Sequence, residues 1–296
     1  MAISTEILVN VSARLYEIAC KTVPADVQNA LKEAYNHESS CLAREQLKQM
    51  LENISVAKED DNIICQDLGL PHFFVKYGTR VQLEGDGDLR SAVSKGLKKL
   101  YEEPPHLWTR HVNPLNWAPG PNWEGIGTPF VYVDLLPGAD YIQLTAFPKG
   151  TGSSMWGKVT LYEPKHATLE HVTKFVLDCL FDAGPRACPP YIIGVGIGGT
   201  LDSVAHLAKT ATMRPLGKKH PNPDIARMET QILGSVNKTG IGVMGLGGDI
   251  TALAVNIDYA STHSYRTPLA FELNCWPGRQ ASATIYSDGS VKYGVG

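Results

Sequence analysis

The 296-residue sequence lacks the features that would set it outside ordinary globular proteins. No apolar run approaches the roughly 18 residues that a membrane-spanning helix needs, which excludes a helical channel or transporter. The opening stretch, MAISTEILVNVSARLYEIAC, has no basic segment ahead of its apolar residues, and these recur at helical spacing, so no secretory signal is expected there. That expectation places the chain in the cytoplasm, where thiols stay reduced. Its six cysteines then read as core residues, metal ligands or nucleophiles rather than a disulfide framework. Charge of one sign is scarce too: a net charge of -3 with 19% charged residues offers neither nucleic acid nor a membrane surface a charged face. Internal repeats, low-complexity tracts, an evident linker and zinc-knuckle cysteine spacing are all missing.

What remains is a chain with 43% hydrophobic residues, enough for a substantial core. Residues 5–58 read as helices. Ile7, Leu8, Val11, Leu15 and Ile18 form one stripe; Val27, Leu31 and Ala34 follow Pro24-Ala25-Asp26; Ala43, Leu47, Met50, Leu51 and Ile54 form a third. From residue 63 the texture turns to strands and turns. Phe130–Leu135 and Tyr141–Phe147 flank Pro137-Gly138-Ala139-Asp140, which predicts a hairpin. The Pro/Trp/Asn-rich stretch 104–129 reads as a long functional loop. Helices are expected over 168–183, about 200–213 and around 222–237, and strands over 250–259 and 268–274, with a last hairpin around Ser287-Asp288-Gly289. The pattern predicts a mixed α/β (α+β) fold: one domain over 1–296, a helical N-terminal part to about residue 60, and a mixed sheet.

One glycine run stands apart from these strand and helix patterns. Tyr191-Ile192-Ile193 leads into Gly194-Val195-Gly196-Ile197-Gly198-Gly199 and a helical pattern, which satisfies the dinucleotide fingerprint G-x-G-x-x-G. A nicotinamide site also needs a second strand ending in Asp or Glu about 20 residues on. That position falls in the basic, turn-like Met213-Arg214-Pro215-Leu216-Gly217-Lys218-Lys219. A nicotinamide-dependent oxidoreductase is therefore the weaker alternative, and Thr200 reads as an ordinary helix N-cap.

The cysteines divide in two. Cys20, Cys41 and Cys179 lie on or beside apolar helical stripes and read as small hydrophobes. Cys65 opens Cys65-Gln66-Asp67-Leu68-Gly69 after an apolar pair, Cys188 precedes Pro189-Pro190, and Cys275 closes an apolar run before Trp276-Pro277-Gly278-Arg279. Each stands where a regular element meets a turn, a place from which a side chain can be aimed. They are far apart in sequence, and spacing does not show that they meet.

The set Cys65-Gln66-Asp67-x-Gly69, Gly194-x-Gly196-Ile197-Gly198-Gly199-Thr200, Gly245-Leu246-Gly247-Gly248 and Asn274-Cys275-Trp276 resembles the class I fumarate hydratase and L-tartrate dehydratase family, in its alpha subunit or N-terminal domain. Lys149-Gly150-x-Gly152-Ser153, Asn222-Pro223-Asp224 and Gly240-Ile241-Gly242-Val243-Met244 add to the likeness, which runs in order over nearly the whole chain. The resemblance implies an α/β fold of the class I fumarase alpha type and a [4Fe–4S] cluster held by Cys65, Cys188 and Cys275. Three thiolates leave one iron open to act as a Lewis acid, where four would suit electron transfer. It further implies Asp67 and His263 as catalytic residues near cluster and substrate. Gly150, Gly152 and Ser153 become backbone approaches to a substrate carboxylate. Arg279, close after Cys275, reads either as a substrate-binding cation or as a surface salt-bridge partner. The proton-abstracting group of this family sits largely in a C-terminal domain or a separate beta subunit. Because the sequence ends soon after Cys275, an obligate beta partner is expected, in a hetero-oligomer that extends to a dimer of heterodimers.

Two departures bear on substrate. Where the family has Leu-Arg-Pro-Asn before Val-Asp-Pro, this sequence has Leu107-Trp108-Thr109-Arg110-His111-Val112-Asn113-Pro114, so Arg110 is the nearest candidate for the carboxylate-clamping arginine. Gly-Gly-Gly-Ser-Glu-Asn has become Gly150-Thr151-Gly152-Ser153-Ser154-Met155. Together they predict hydro-lyase chemistry on a fumarate-, malate- or tartrate-like hydroxy acid with shifted specificity. The other alternative is a non-catalytic iron–sulfur subunit with a redox or iron-sensing role.

Overall fold

In the computed structural model of the chain, residues 2–84, 88–107, 111–120, 123–163 and 167–294 are described. Arg110, the candidate carboxylate clamp, lies outside the described residues, as does Trp108. β1 (Ala2–Ile3), α1 (Thr5–Lys21), α2 (Ala25–His37), α3 (Cys41–Glu59), β2 (Leu70–Gly78), β3 (Gln82–Leu83) and α4 (Leu89–Glu102) come first. β4 (Phe130–Leu136), β5 (Tyr141–Lys149), α5 (Thr151–Met155), β6 (Lys158–Tyr162), α6 (Leu169–Ala183) and β7 (Tyr191–Ile197) follow. α7 (Leu201–Ala211), α8 (Pro223–Asn237), β8 (Ala252–Tyr259), β9 (Thr267–Asn274), β10 (Ala281–Tyr286) and β11 (Val291–Gly294) complete the order. This is the mixed α/β class that the sequence predicts. The elements belong to two compact units, one of Met1–Pro24, Ile54–Gly150 and Arg279–Gly296, the other of Ala25–Asn53 and Thr151–Gly278.

The first unit is built on a five-stranded sheet in the order β11-β10-β5-β2-β4. Phe73, Val75, Ile142, Leu144, Ala283 and Ile285 alternate onto one face and meet the buried stripes of α1 and α4. α1 starts at Ser4, whose side chain accepts from the Glu6 N–H at 3.1 Å, and buries Leu8, Val11, Leu15, Tyr16 and Ala19. α4 falls in a region that reads as strands and turns in the sequence. Its stripe of Val93, Leu97 and Leu100 is diluted by Lys95, Lys98 and Lys99, but Gly96 brings it close to α1: a Cβ there would stand 2.6 Å from the Val9 carbonyl oxygen.

The predicted hairpin of 130–135 with 141–147 does not form. β2 lies between the two strands, parallel to β4 and antiparallel to β5. The connection through Gly138 (φ +74) passes over the end of β2, where Arg80 N–H donates to the Ala139 carbonyl. The crossing needs a glycine beneath it, since a Cβ on Gly78 would meet Ala139 O at 2.5 Å. Two strands joined by four turn residues look like a hairpin in sequence, and only the buried, strand-forming Leu70–Gly78 segment displaces that pairing. The terminal hairpin of β10 and β11 forms as predicted.

The second unit holds a four-stranded sheet, order β6-β9-β7-β8, in which β7 is parallel to β8 and antiparallel to β9. Here the glycine run finds its explanation. A Cβ on Gly194 would stand 2.0 Å from Ala208 O, and one on Gly196 2.2 Å from Val204 O, so both glycines let α7 lie directly on β7. Gly198 (φ +85) accommodates Ala260 O in the same way. The N-terminus of α7 is closed by its own Thr200–Ser203 capping box, with Asp202 in the first turn. A carboxylate there opposes a pyrophosphate, so the dinucleotide reading loses its structural basis.

Close approach at one glycine and open space at another set opposite outcomes for two Gly→Ala substitutions. Gly194→Ala should lower stability by about 1–3 kcal/mol. Gly234→Ala, in α8 with nothing within 4 Å of the new Cβ, should raise it by roughly 0.4–1 kcal/mol. Chemical denaturation of the two variants reads both, and coincident midpoints contradict this packing.

Candidate functional site

In the first unit, strand register gathers the candidate residues. β2 begins where β5 ends, with Leu70 opposite Lys149, and Ala281 of β10 lies opposite Ala146. Asp67 precedes β2, Gly150 follows β5 and Arg279 precedes β10, so all three reach the same end of the sheet. A Cβ on Gly150 would lie 3.1 Å from Asp67 Oδ2 and 3.4 Å from Arg279 Nη2, which places its bare α-carbon against both charged groups. Asp67 Oδ1 accepts the Gly69 N–H at 2.9 Å. Gly69 is held at φ +68, and its own Cβ would meet Lys149 O at 2.2 Å.

Two cations are buried here: Lys149 is 1% exposed and Arg279 2%. The Lys149 Nζ stands over the Phe147 ring, 5.6 Å from its centroid. In the sequence Lys149 is marked by its place at the head of Lys149-Gly150-x-Gly152-Ser153, and a lysine there reads equally well as a surface residue. Buried cations are retained at a cost unless they face anions, so Lys149 joins Asp67, Gly150 and Arg279 in the candidate site.

Cys65 is half-buried and lies next to α1. Ile64 N–H donates to the Cys20 carbonyl at 3.0 Å, and Tyr16 OH donates to the Leu68 carbonyl at 2.8 Å. Burial pushes the Cys20 thiol up to about 12, with Arg279 opposing and Cys65 adding to the rise. Burial also raises the Tyr16 phenol, with Cys20, Arg279 and Asp67 acting on it as further charges. Tyr16, Cys20, Cys65, Asp67 and Arg279 therefore share one electrostatic neighbourhood.

In the second unit, Cys188 precedes β7 and Cys275 follows β9, two neighbouring strands whose register sets Ile192 opposite Asn274. The Trp276 N–H donates to the Cys188 carbonyl at 3.2 Å, and the Gly278 N–H to that of Cys275 at 3.0 Å. Burial raises the Tyr191 phenol, and the charges of both thiols contribute. The structure thus brings Cys188 and Cys275 to one place. Cys188 sits at φ +57, a left-handed conformation that a non-glycine residue adopts only where its surroundings impose it. Met244 N–H donates to the Pro189 carbonyl at 3.0 Å, and Gly152 of α5 lies against Arg186 O, 2.9 Å from where its Cβ would be. Ser153 of the same short helix is buried.

His263 stands elsewhere. It lies in the exposed connection between β8 and β9, at the end of the sheet where Gly198 and Gly199 turn. The eight residues of β9 separate that end from Cys275, roughly 25 Å of strand. Within one chain His263 therefore does not share a site with Cys188 and Cys275. The family resemblance implied a place for it near the cluster residues, whereas β9, as an extended strand, carries the two ends apart.

All six cysteines are thiols. Among the described residues no three His, Cys, Asp or Glu side chains converge on a single ion. Thiolates around a cubane bind separate iron corners and need not converge in that way. The donor chemistry, accessible thiols at turns braced by backbone bonds, fits such a group.

The sequence model of the fumarate hydratase (Fumerase) family matches residues 9–284. A Methanocaldococcus jannaschii protein provisionally named L(+)-tartrate dehydratase subunit alpha is 37% identical over 283 residues, 95% of this chain and 99% of its own. The L(+)-tartrate dehydratase subunit alpha of Escherichia coli (strain K12) is 30% identical over 286 residues, 96% of this chain and 91% of its own. That of Shigella sonnei matches to the same extent.

The thiol environments predict a labelling order. At pH 8 a thiol raised to about 12 is ionised to roughly one part in 10⁴. Iodoacetamide should therefore alkylate Cys41, Cys65, Cys188 and Cys275 of the folded, anaerobic, metal-free chain well before Cys20 and Cys179. Equal rates for Cys20 and Cys65 would contradict the assignment.

Proposed function

Because the chain belongs to the fumarate hydratase (Fumerase) family and is a hydro-lyase, we propose that it is the alpha subunit of a [4Fe–4S]-dependent hydratase or dehydratase. Its substrate is a small hydroxy carboxylic acid of the fumarate, malate or tartrate class. The observation that carries this reading is the convergence of Asp67, Lys149, Gly150 and Arg279 at one end of the first unit's sheet. Cations held in a low-dielectric setting bind carboxylates strongly and without reorganising.

Cys65, Cys188 and Cys275 are the three ligands in this reading, and residues 1–296 act together as one alpha-type catalytic domain. A cluster bound through three thiolates supplies an open iron position that polarises a carbon–oxygen bond. The chain's own residues do the rest of the binding. Arg279 and Lys149 take a substrate carboxylate, the backbone of Gly150 to Ser153 leaves room for its approach, and Asp67 faces the reacting end. Arg110 is a further candidate clamp, in a stretch of sequence where Trp108 replaces the family's arginine. His263 acts on substrate at a site that its own Cys188 and Cys275 do not line. The partner is a beta subunit that brings the proton-abstracting group, in a cytoplasmic hetero-oligomer. Met155, exposed at the end of α5, and Trp108 shift the preferred substrate away from fumarate.

The test is anaerobic co-expression with the beta partner, cluster reconstitution, and turnover of fumarate, malate, tartrate and branched hydroxy acids. Visible absorption should show the cluster, and Cys188→Ser should lose it together with turnover. Arg279→Met should lower kcat/KM by roughly 10–100-fold. A Cys188→Ser variant with a full cluster and unchanged turnover sinks the ligand assignment, and full efficiency on fumarate sinks the shifted specificity. A loaded complex inactive on every acid leaves the non-catalytic subunit in its place.

A further inference from the structure

We infer that Tyr16 is a positioning residue for Cys65-Gln66-Asp67, an inference that rests on Asp67 facing substrate as proposed above. Tyr16 and Cys20 are one turn apart on the buried face of α1. Each fixes one end of a short length of chain. The Cys20 carbonyl accepts the Ile64 N–H at 3.0 Å, and the Tyr16 hydroxyl donates to the Leu68 carbonyl at 2.8 Å. Residues 65–67 are strung between these two bonds, so a single helix sets where both the cysteine and the carboxylate stand.

The bond from Tyr16 does more than locate the chain. The Leu68 carbonyl and the Gly69 N–H belong to the same planar peptide unit. Tyr16 holds the carbonyl end of that plane, and the N–H end donates to Asp67 Oδ1 at 2.9 Å. A rotation of the plane would carry the N–H away from the carboxylate, and the hydroxyl of Tyr16 opposes that rotation. The effect passes through one rigid peptide, from a residue that touches neither substrate nor cluster. The ring itself is held separately, stacked on Phe73 with centroids 6.1 Å apart and planes at 25°. Removing the hydroxyl therefore leaves the packing in place.

The experiment compares wild type, Tyr16→Phe and Ile285→Ala in the cluster-loaded complex with the beta partner. Three quantities are read: kcat per loaded cluster, thermal midpoint, and hydrogen exchange of the peptide spanning 64–69. Tyr16→Phe should lower kcat by roughly 10–100-fold, with KM moving far less. Its exchange should quicken at the Gly69 amide while β2 beyond it stays protected. Ile285→Ala, in the same core at the far end of β10, should lower the thermal midpoint and keep both kcat and Gly69 protection. The inference is overturned if Tyr16→Phe stays within about twofold of wild-type kcat, if Ile285→Ala reproduces its loss, or if Tyr16→Phe cannot be obtained folded. Should the wild-type complex turn over no hydroxy acid, the functional reading fails, and the exchange result alone decides whether Tyr16 orients the turn.

Discussion

The approach of the Gly69 backbone to the Lys149–Gly150 peptide is the contact on which the charged cluster of the first unit depends. A side chain at position 69 would have to occupy space 2.2 Å from the Lys149 carbonyl oxygen, in a conformation (φ +68) that L residues resist. Glycine there lets β2 begin directly beside the end of β5. From that register follow the meeting of Asp67 with the α-carbon of Gly150, the depth at which Lys149 is buried, and the access of Arg279 from the neighbouring β10. Each would be lost if the strand ends moved apart by the width of one methyl group. Interiors are close-packed, so such a displacement is not absorbed locally.

The second unit solves a related problem by different means. Cys188 is in a strained conformation, and strain of this kind persists only when surrounding bonds over-determine it. The bonds can be followed outward. Trp276 N–H and the Pro185 carbonyl hold Cys188 itself, and Met244 N–H holds Pro189. The glycine-rich segment carrying Met244 is anchored by Glu38, whose buried carboxylate accepts the N–H groups of Asp249 and Ile250 and that of Ser40. A buried carboxylate surrounded by backbone donors is well satisfied. Gly248, at φ +103, makes room for it, since a Cβ there would stand 2.6 Å from Glu38 Oε1. One glycine of this loop thus makes room for a carboxylate of the same chain, while Gly245 lies against Pro185 and Gly242 against the backbone of Gly247.

Sequence reading succeeded where one physical period dominated. The stripes of α1, α2 and α3 are visible because buried positions recur at the helical repeat with little competition. It failed where a tertiary partner decided. β4 and β5 look paired until β2 takes the place between them, and nothing local to either strand reveals that insertion. α4 was hidden by lysines that lie on its outer face. The glycine run was ambiguous because close approach to a phosphate and close approach to a helix call for the same residue. Gly194 and Gly196 answer to Ala208 and Val204, a distinction that only distance makes. The site shows the same division. Local motifs marked Cys65, Asp67, Cys188 and Cys275, whereas the depth of Lys149 and the displacement of His263 to the far end of β9 come from strand register, which the motifs do not encode.

The charge pattern gives the cluster its chemical direction. Over the whole chain acidic residues outnumber basic ones, for a net charge of -3, so any positive potential is local. Lys149 and Arg279 provide it at a sheet end where water is largely excluded and each interaction is strengthened. Asp67 stands against them with its two oxygens in different roles: Oδ1 is committed to the Gly69 N–H, and Oδ2 faces the α-carbon of Gly150. A carboxylate with one oxygen fixed by the backbone has lost most of its rotational freedom before any ligand arrives. Such groups contribute most when their orientation costs nothing at the moment of reaction. Positioning of this kind needs a framework that does not yield, and turns set by glycine, by planar peptides and by strand register supply it where a flexible loop could not.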